Sequence, residues 1–229
     1  ETALASTIDS YDTIKGIATT GMTLASGATI NVDASEVTEM LADESAGRLT
    51  ISDQQITVTG AIAVSTANDL DGITGGIVTA SIATDATVDS LATLTGTNNA
   101  YTITIAAADA TGSTAAELTA IDNATSVTVD VSAITSIEGT YEEITALYGS
   151  SGVSGFGDES ITITGGSLSV EEANAIDLLT TGVVTASIAT DSIVDSLATL
   201  TGTNAYTITI ASGDATGSTA AELLSLIHI

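Results

Sequence analysis

The chain has 229 residues, with 29 Asp or Glu against 2 Lys or Arg, a formal net charge of −27, and no Pro, Cys or Trp. Without cysteine there are no disulfides, thiolate metal sites or thiol catalysis, and two cations cannot neutralise a phosphate backbone or hold an anionic bilayer, so the expected partners include no nucleic acid and no membrane insertion. Hydrophobic residues at 44% and a mean hydropathy of +0.43 exceed what a disordered acidic chain carries, so a folded core is expected.

Along the chain, apolar residues recur in short helical phrases three apart, as in Leu91/Leu94, Leu118/Ile121, Ile144/Leu147 and Leu197/Leu200. The second apolar residue of each phrase falls at Ile14, Leu41, Ile73, Leu94, Ile121, Leu147, Leu179, Leu200 and Leu226. Between phrases, Tyr101–Ile105, Val127–Val131, Ser160–Thr164, Val184–Ile188 and Ala205–Ile210 alternate polar residues with apolar ones. That period of two predicts strands with one buried and one wet face. Helix starts are marked by Thr114-x-x-Glu117, Thr140-x-x-Glu143, Ser169-x-x-Glu172 and Thr219-x-x-Glu222, with Asp33-x-x-Glu36 as an acidic variant. In such a capping box each side chain satisfies a free backbone N–H of the other residue, and the acid suits the positive end of the helix.

The phrases belong to a long repeat. Val78–Leu118 and Val184–Leu223 are nearly identical, at an offset of 106 from Asp85/Asp191 to Leu94/Leu200 and of 105 from Tyr101/Tyr206 onward, after the loss of one Asn. The intervals between phrases also recur in order, giving about nine units of 21–32 residues in a four-unit super-repeat of about 106. One short strand and one short helix cannot bury their apolar faces alone, so the units must stack. Strand–helix–strand crossovers make the strands parallel. The expected fold class is therefore α/β: a repeat solenoid with a parallel β-ladder on one side and short helices on the other. It is expected to run as a single continuous body over residues 1–223. Nine strand steps of about 4.8 Å would extend it about 40 Å.

The match ends after Leu223, where LTAIDNA in the first copy faces LLSLIHI in the second. That ending resembles translated sequencing-adaptor read-through at the end of a metagenomic reading frame. Residues 224–229, with the sole histidine His228, are accordingly expected to be a non-native tail, and the initial Glu1 suggests an internal fragment of a longer array.

Each chemical signal has a structural explanation beside it. Glu142/Glu143 and Glu171/Glu172 are paired carboxylates of the sort hydrolases use, yet all four occupy first helical turns, where capping accounts for them. A Ser/His/Asp triad would depend on His228. Gly149–Asp158 (GSSGVSGFGD) lacks the Gly-Lys-Ser/Thr ending of a phosphate loop and reads as a long turn with Phe156 packed as a plug. For calcium, Asp158/Glu159 lie in a Gly-rich turn, and Asp109 and Asp214 precede equivalent TGST turns, but neither the EF-hand spacing nor the GGxGxD nonapeptide is present. The T-x-T pairs Thr57/Thr59, Thr102/Thr104, Thr162/Thr164 and Thr207/Thr209 resemble an ice-binding face, which Thr79/Ser81, Thr128/Asp130 and Thr185/Ser187 interrupt. No catalytic, cofactor-binding or metal residue is assigned.

The phrases SAITSIEGTYEEITALYGSSGVSGFGDESITITGG (Ser132–Gly166) and ANAIDLLTTGVVTASIATD (Ala173–Asp191) resemble the Thr/Ala/Asp-rich β/α repeat arrays of giant acidic secreted or surface proteins of marine bacteria and cyanobacteria. The resemblance covers roughly residues 5–223. It implies an extracellular or cell-surface location and a non-catalytic structural or interaction role, as an adhesin-like stalk or surface-layer-like element. The expected partners are neighbouring repeat units of the same chain and cell-surface or matrix contacts, with end-to-end self-association of the fragment through its open strand edges. The alternatives are a calcium-stabilised secreted repeat protein and, further off, an ice- or carbohydrate-binding solenoid.

Overall fold

A computed structural model describes residues 7–8, 10–15, 21–106, 112–190, 192–211 and 218–226. They form two compact units, one of Glu1–Ala106 with Ala120–Asp130 and one of Ala107–Thr119 with Val131–Ile229.

Up to residue 106 the elements are β1 (Thr7–Ile8), α1 (Tyr11–Lys15), β2 (Met22–Thr23), β3 (Thr29–Asp33), α2 (Val37–Ser45), β4 (Leu49–Thr50), β5 (Gln55–Ile62), α3 (Val64–Ile73), β6 (Val78–Ile82), α4 (Val88–Leu91) and β7 (Ala100–Thr102). There follow β8 (Ser113–Thr114), α5 (Ala115–Ala124), β9 (Val129–Asp130), β10 (Ser136–Gly139), α6 (Tyr141–Tyr148) and β11 (Val153–Ser154). The last are β12 (Ser160–Leu168), α7 (Val170–Asp177), β13 (Val184–Ile188), α8 (Val194–Leu197), β14 (Ala205–Thr207) and α9 (Ala220–Leu226). The end of α5 and all of β9 belong to the first unit.

Each unit is α/β and built on a parallel sheet. In the first, the strand order is β1-β3-β5-β6-β7, with a second small ladder of β2 and β4. In the second it is β8-β10-β12-β13-β14. The two orders correspond strand for strand, as the repeat offset requires. Registers correspond as well: Thr57 pairs with Thr79 and Ile62 with Ile82, while Thr162 pairs with Thr185 and Leu168 with Ile188.

The strands form because their alternation matches a half-buried sheet. In β6, Val78, Ala80 and Ile82 are buried while Thr79 and Ser81 are exposed, and β13 repeats this with Val184, Ala186 and Ile188. Across the first sheet Ile30, Ile56 and Val78 form one buried rank. The helices close the core with stripes at i, i+3 and i+6: Val64/Ala67/Leu70 in α3 and Val170/Ala173/Ile176 in α7. This stripe shifts the sequence expectation in three places. Leu41, Ile73 and Leu179 are only half-buried, because Leu41 lies one residue, about 100°, beyond the inward Met40, and the other two lie past the inward Leu70 and Ile176.

Capping boxes close at Thr140/Glu143 and Ser169/Glu172, and reciprocal bonds link Thr114 with Glu117 and Thr219 with Glu222. Asp33 and Glu36 do not form one. The short Asp33 carboxylate accepts from Ser35 N–H two residues on, at 2.9 Å, and α2 starts only at Val37 with Glu36 as an N-cap that makes no side-chain bond to the helix. Among the described residues no helix is long and apolar enough to cross a membrane.

Candidate functional site

In both units a set of buried Thr and Asn side chains fastens one strand segment to the next, whereas buried Ser113 Oγ has no hydrogen-bond partner among the described residues. After α3, the Thr74 hydroxyl donates to the Gln54 carbonyl at 2.5 Å and accepts from Gly76 N–H at 2.9 Å. After α7, Thr180 does the same with the Glu159 carbonyl (2.7 Å) and Gly182 N–H (2.9 Å). Thr125 repeats the pattern after α5, donating to the Tyr101 carbonyl at 2.8 Å and accepting from Val127 N–H at 3.1 Å. Gly76 and Gly182 press so close to the carbonyls of Gln54 and Glu159 that a Cβ would overlap backbone.

Asparagine side chains make a second kind of fastening. Asn99 accepts from Val78 N–H at 2.8 Å and donates to Asp71, while Asn204 accepts from Val184 N–H at 2.9 Å and donates to Asp177. Asn68 and Asn174 each bond the loop after the next short helix, through Thr93 carbonyl and Thr95 N–H or Thr199 carbonyl and Thr201 N–H, all at 2.9 Å. Tyrosines add a third. The Tyr101 ring is fully buried, and its hydroxyl donates to the Ala67 carbonyl at 3.3 Å; Tyr206 reaches the Ala173 carbonyl at 3.4 Å. Burial, with Asp177 nearby, pushes the Tyr206 phenol up to about 12.

Both cations are engaged in the first unit. Lys15 lies 2.6 Å from Asp12, 2.9 Å from Glu36 and 3.6 Å from Glu39, and Arg48 pairs with Asp43. Asp43 is buried on the inward stripe of α2 and also accepts from the Tyr11 hydroxyl. That bond first, and Arg48 second, hold its carboxyl below the usual carboxylate range. Each of the two side-chain cations is thus paired with carboxylates of the chain itself.

The sequence candidates for chemistry fall into structural roles. Glu143 and Glu172 close their capping boxes, and Glu142 and Glu171 stand exposed beside them in the same first turns. Glu159 is buried, and its carboxylate accepts from the N–H groups of Gly157 (2.9 Å) and Asp158 (3.2 Å) and from the Tyr148 hydroxyl. Its oxygens are thus engaged by the chain's own donors. Phe156 stacks on Tyr148 with ring centroids 4.2 Å apart but is only half-buried, so it packs on the turn rather than plugging the core. Asp109, Asp214 and His228 lie outside the described residues. Among the described residues no group of three or more His, Cys, Asp or Glu gathers at metal-binding spacing.

The wet strand face carries Thr, Ser and acids in broken ranks. Thr57 stands beside Thr79, but Ser81 stands beside Ala61 rather than Thr59, because the register shifts between Thr57 and Ala61. In the second unit Ser187 stands beside Ser167 for the same reason, and Glu138 enters the rank beside Thr162. Among the described residues the T-x-T pairs therefore do not line up into one regular rank. A bulge at Gly60 (φ +99°), with Gly165 (φ +80°) in its counterpart, makes the shift. Sequence reasoning missed these bulges and the buried Thr fasteners; a T-x-G triplet after the helix at Thr74 and Thr180 was the available signal.

Comparison with known proteins finds no family model, no curated relative and no solved structure that matches the chain.

Proposed function

We propose that the chain is a non-catalytic structural and interaction module of a large extracellular or cell-surface repeat protein, with its units stacked as a β/α solenoid that acts as a stalk. The observation that carries this reading is the strand-for-strand and register-for-register correspondence of the two parallel sheets. Buried Thr74, Thr125 and Thr180 fasten successive rungs, and the exposed face is polar and acidic. A net charge of −27 favours solubility of an exported array, with repulsion screened within about 8 Å at physiological salt. The location and the adhesin-like role rest on the sequence resemblance.

Insertion of a second copy of residues 78–183 directly after Val183 tests the stalk. The repeat then continues in phase, and four added strand steps lengthen the particle by about 19 Å in small-angle X-ray scattering. Growth in all dimensions, or none, would refute a stalk.

A further inference from the structure

The turn before β12 departs from its counterpart before β5 in how it treats one apolar and one acidic side chain. At the offset of 105 that relates Gln54 to Glu159, Ile51 corresponds to Phe156 and Asp53 to Asp158. Ile51 is 5% exposed, whereas Phe156 is only half-buried and lies against the half-buried Tyr148 at an interplanar angle of 20°. Its neighbours in the chain are Gly155 and Gly157, which carry no side chain to cover the ring, and a Cβ at Gly157 would meet nothing within 4 Å.

The two aspartates differ more sharply. Asp53 is held by its own chain, since it accepts from the Ser26 hydroxyl and from Gln54 Nε2 at 3.0 Å. Neither donor has an equivalent beside Asp158. The Glu159 side chain has no N–H to offer, and Ala133 replaces Ser26 at the offset of 107 set by the first residues of β3 and β10, Thr29 and Ser136. Asp158 is exposed, and among the described residues its carboxylate accepts no hydrogen bond. The buried Glu159 carboxylate, which accepts from the Tyr148 hydroxyl, puts a second acid at the same turn. The second unit contains no Lys or Arg, so no ammonium or guanidinium side chain of that unit answers either acid.

We propose that the turn at residues 155–159 receives an arginine side chain of a protein partner, its guanidinium stacked on the Phe156 ring and forked onto the Asp158 carboxylate. The negative face of an aromatic ring attracts a cation lying over it. A planar guanidinium meets ring and carboxylate together, where the compact, strongly hydrated ammonium of lysine meets one at a time. A neutral ligand such as a sugar would cover the ring and leave the Asp158 charge unanswered, so charge complementarity selects the cation. The proposal rests on the reading of the chain as an interaction module and names the chemistry of the partner that module takes.

The test titrates the full chain with the acetylated and amidated peptide Gly-Ser-Arg-Ser-Gly at fixed salt and follows the backbone amide resonances. The expected result is saturable binding with shifts centred on Phe156, Gly157 and Asp158. Asp158→Asn, at an exposed position, and Phe156→Leu each weaken binding about fivefold, replacement of the peptide arginine by lysine also weakens it, and Asp53→Asn leaves it unchanged. Equal losses in Asp158→Asn and Asp53→Asn would mean diffuse attraction to an acidic surface and would overturn the site. So would equal binding of a peptide with citrulline in place of arginine, or the absence of saturable binding. Shifts at Phe156 produced by a neutral oligosaccharide and not by the peptide would overturn it in favour of a sugar. No peptide binding while the insertion of residues 78–183 still lengthens the particle refutes the site alone; failure to lengthen refutes the stalk and leaves a measured arginine site standing.

Discussion

At the turn before β5 the first unit buries Gln54, and at the corresponding turn before β12 the second buries Glu159, each 1% exposed. One side-chain oxygen does the same work in both. It accepts from the two preceding N–H groups, those of Ser52 (2.7 Å) and Asp53 (3.2 Å) or those of Gly157 (2.9 Å) and Asp158 (3.2 Å). The other half of each side chain meets opposite demands. Gln54 Nε2 donates to the carbonyl of Ala25 at 2.9 Å and to Asp53 at 3.0 Å, whereas the second Glu159 oxygen accepts from the Tyr148 hydroxyl. The repeat fixes the backbone need, and local neighbours decide between amide and acid.

Exchanging the two side chains should therefore be strongly asymmetric. Gln54→Glu places a carboxylate against a carbonyl and the Asp53 carboxylate, and is expected to cost about 4 kcal/mol, the penalty for an unpaired buried charge. Glu159→Gln keeps the shared oxygen and should cost about 1 kcal/mol. Urea unfolding of both variants decides the matter, and equal losses would mean that the two turns are not electrostatically distinct. Next in size is Gly182→Ala, whose methyl group overlaps the Glu159 carbonyl. A loss of about 3 kcal/mol is expected from the forced backbone shift, and Gly76→Ala should match it in the first unit if the two fasteners are equivalent.

Asp43 marks another divergence, since it stands on the inward stripe of α2 whereas α6 turns Ile144 and Leu147 inward. Asp43→Asn should cost about 2 kcal/mol at pH 7 by weakening its charged hydrogen bonds to Tyr11 and Arg48. Because the folded carboxyl lies below its ordinary value, this contribution is complete above the unfolded value of about 3.9 and fades as pH falls through the folded value. The gap between parent and variant should then narrow in acid, as thermal melts across pH 2–7 would show. The smallest effects concern caps. Ser169 caps α7 whereas Ala63 at the start of α3 makes no such bond, with nearly equal backbone angles (φ −66°, ψ 163° and φ −69°, ψ 155°). Ser169→Ala should lose about 1 kcal/mol and Ala63→Ser should gain a similar amount. No gain at Ala63 would show that the cap depends on the Glu172 partner, which α3 lacks.

Strand β13 was legible at its full length, because Val184–Ile188 alternates cleanly and nothing interrupts its pairing. The Tyr101–Ile105 segment was legible as extended chain, but the continuous ladder stops at Thr102 and resumes only as a bridge at Thr104. β12 runs beyond its alternating part to Leu168 because Gly165 and Gly166 bulge rather than end it, and period-two patterning cannot register inserted residues. Capping boxes were readable from spacing except at Asp33, where a local turn bond competes with the helix start. Glu159 was singled out for its oxygens, but the donors that use them sit on Gly157, Asp158 and Tyr148, which composition alone does not bring together.

The ladder also bears on how the chain reaches this state. In the two five-stranded sheets Thr29 pairs with Gln55, Thr79 with Ala100, Ser136 with Ser160 and Thr185 with Ala205. Each rung is thus closed by a partner roughly 20–26 residues away, in a chain of 229. Loop closure over such short distances costs little entropy, and low contact order speeds folding. Each parallel pair can therefore close before distant parts of the chain have met, and strands can join a sheet in the order in which they leave the ribosome.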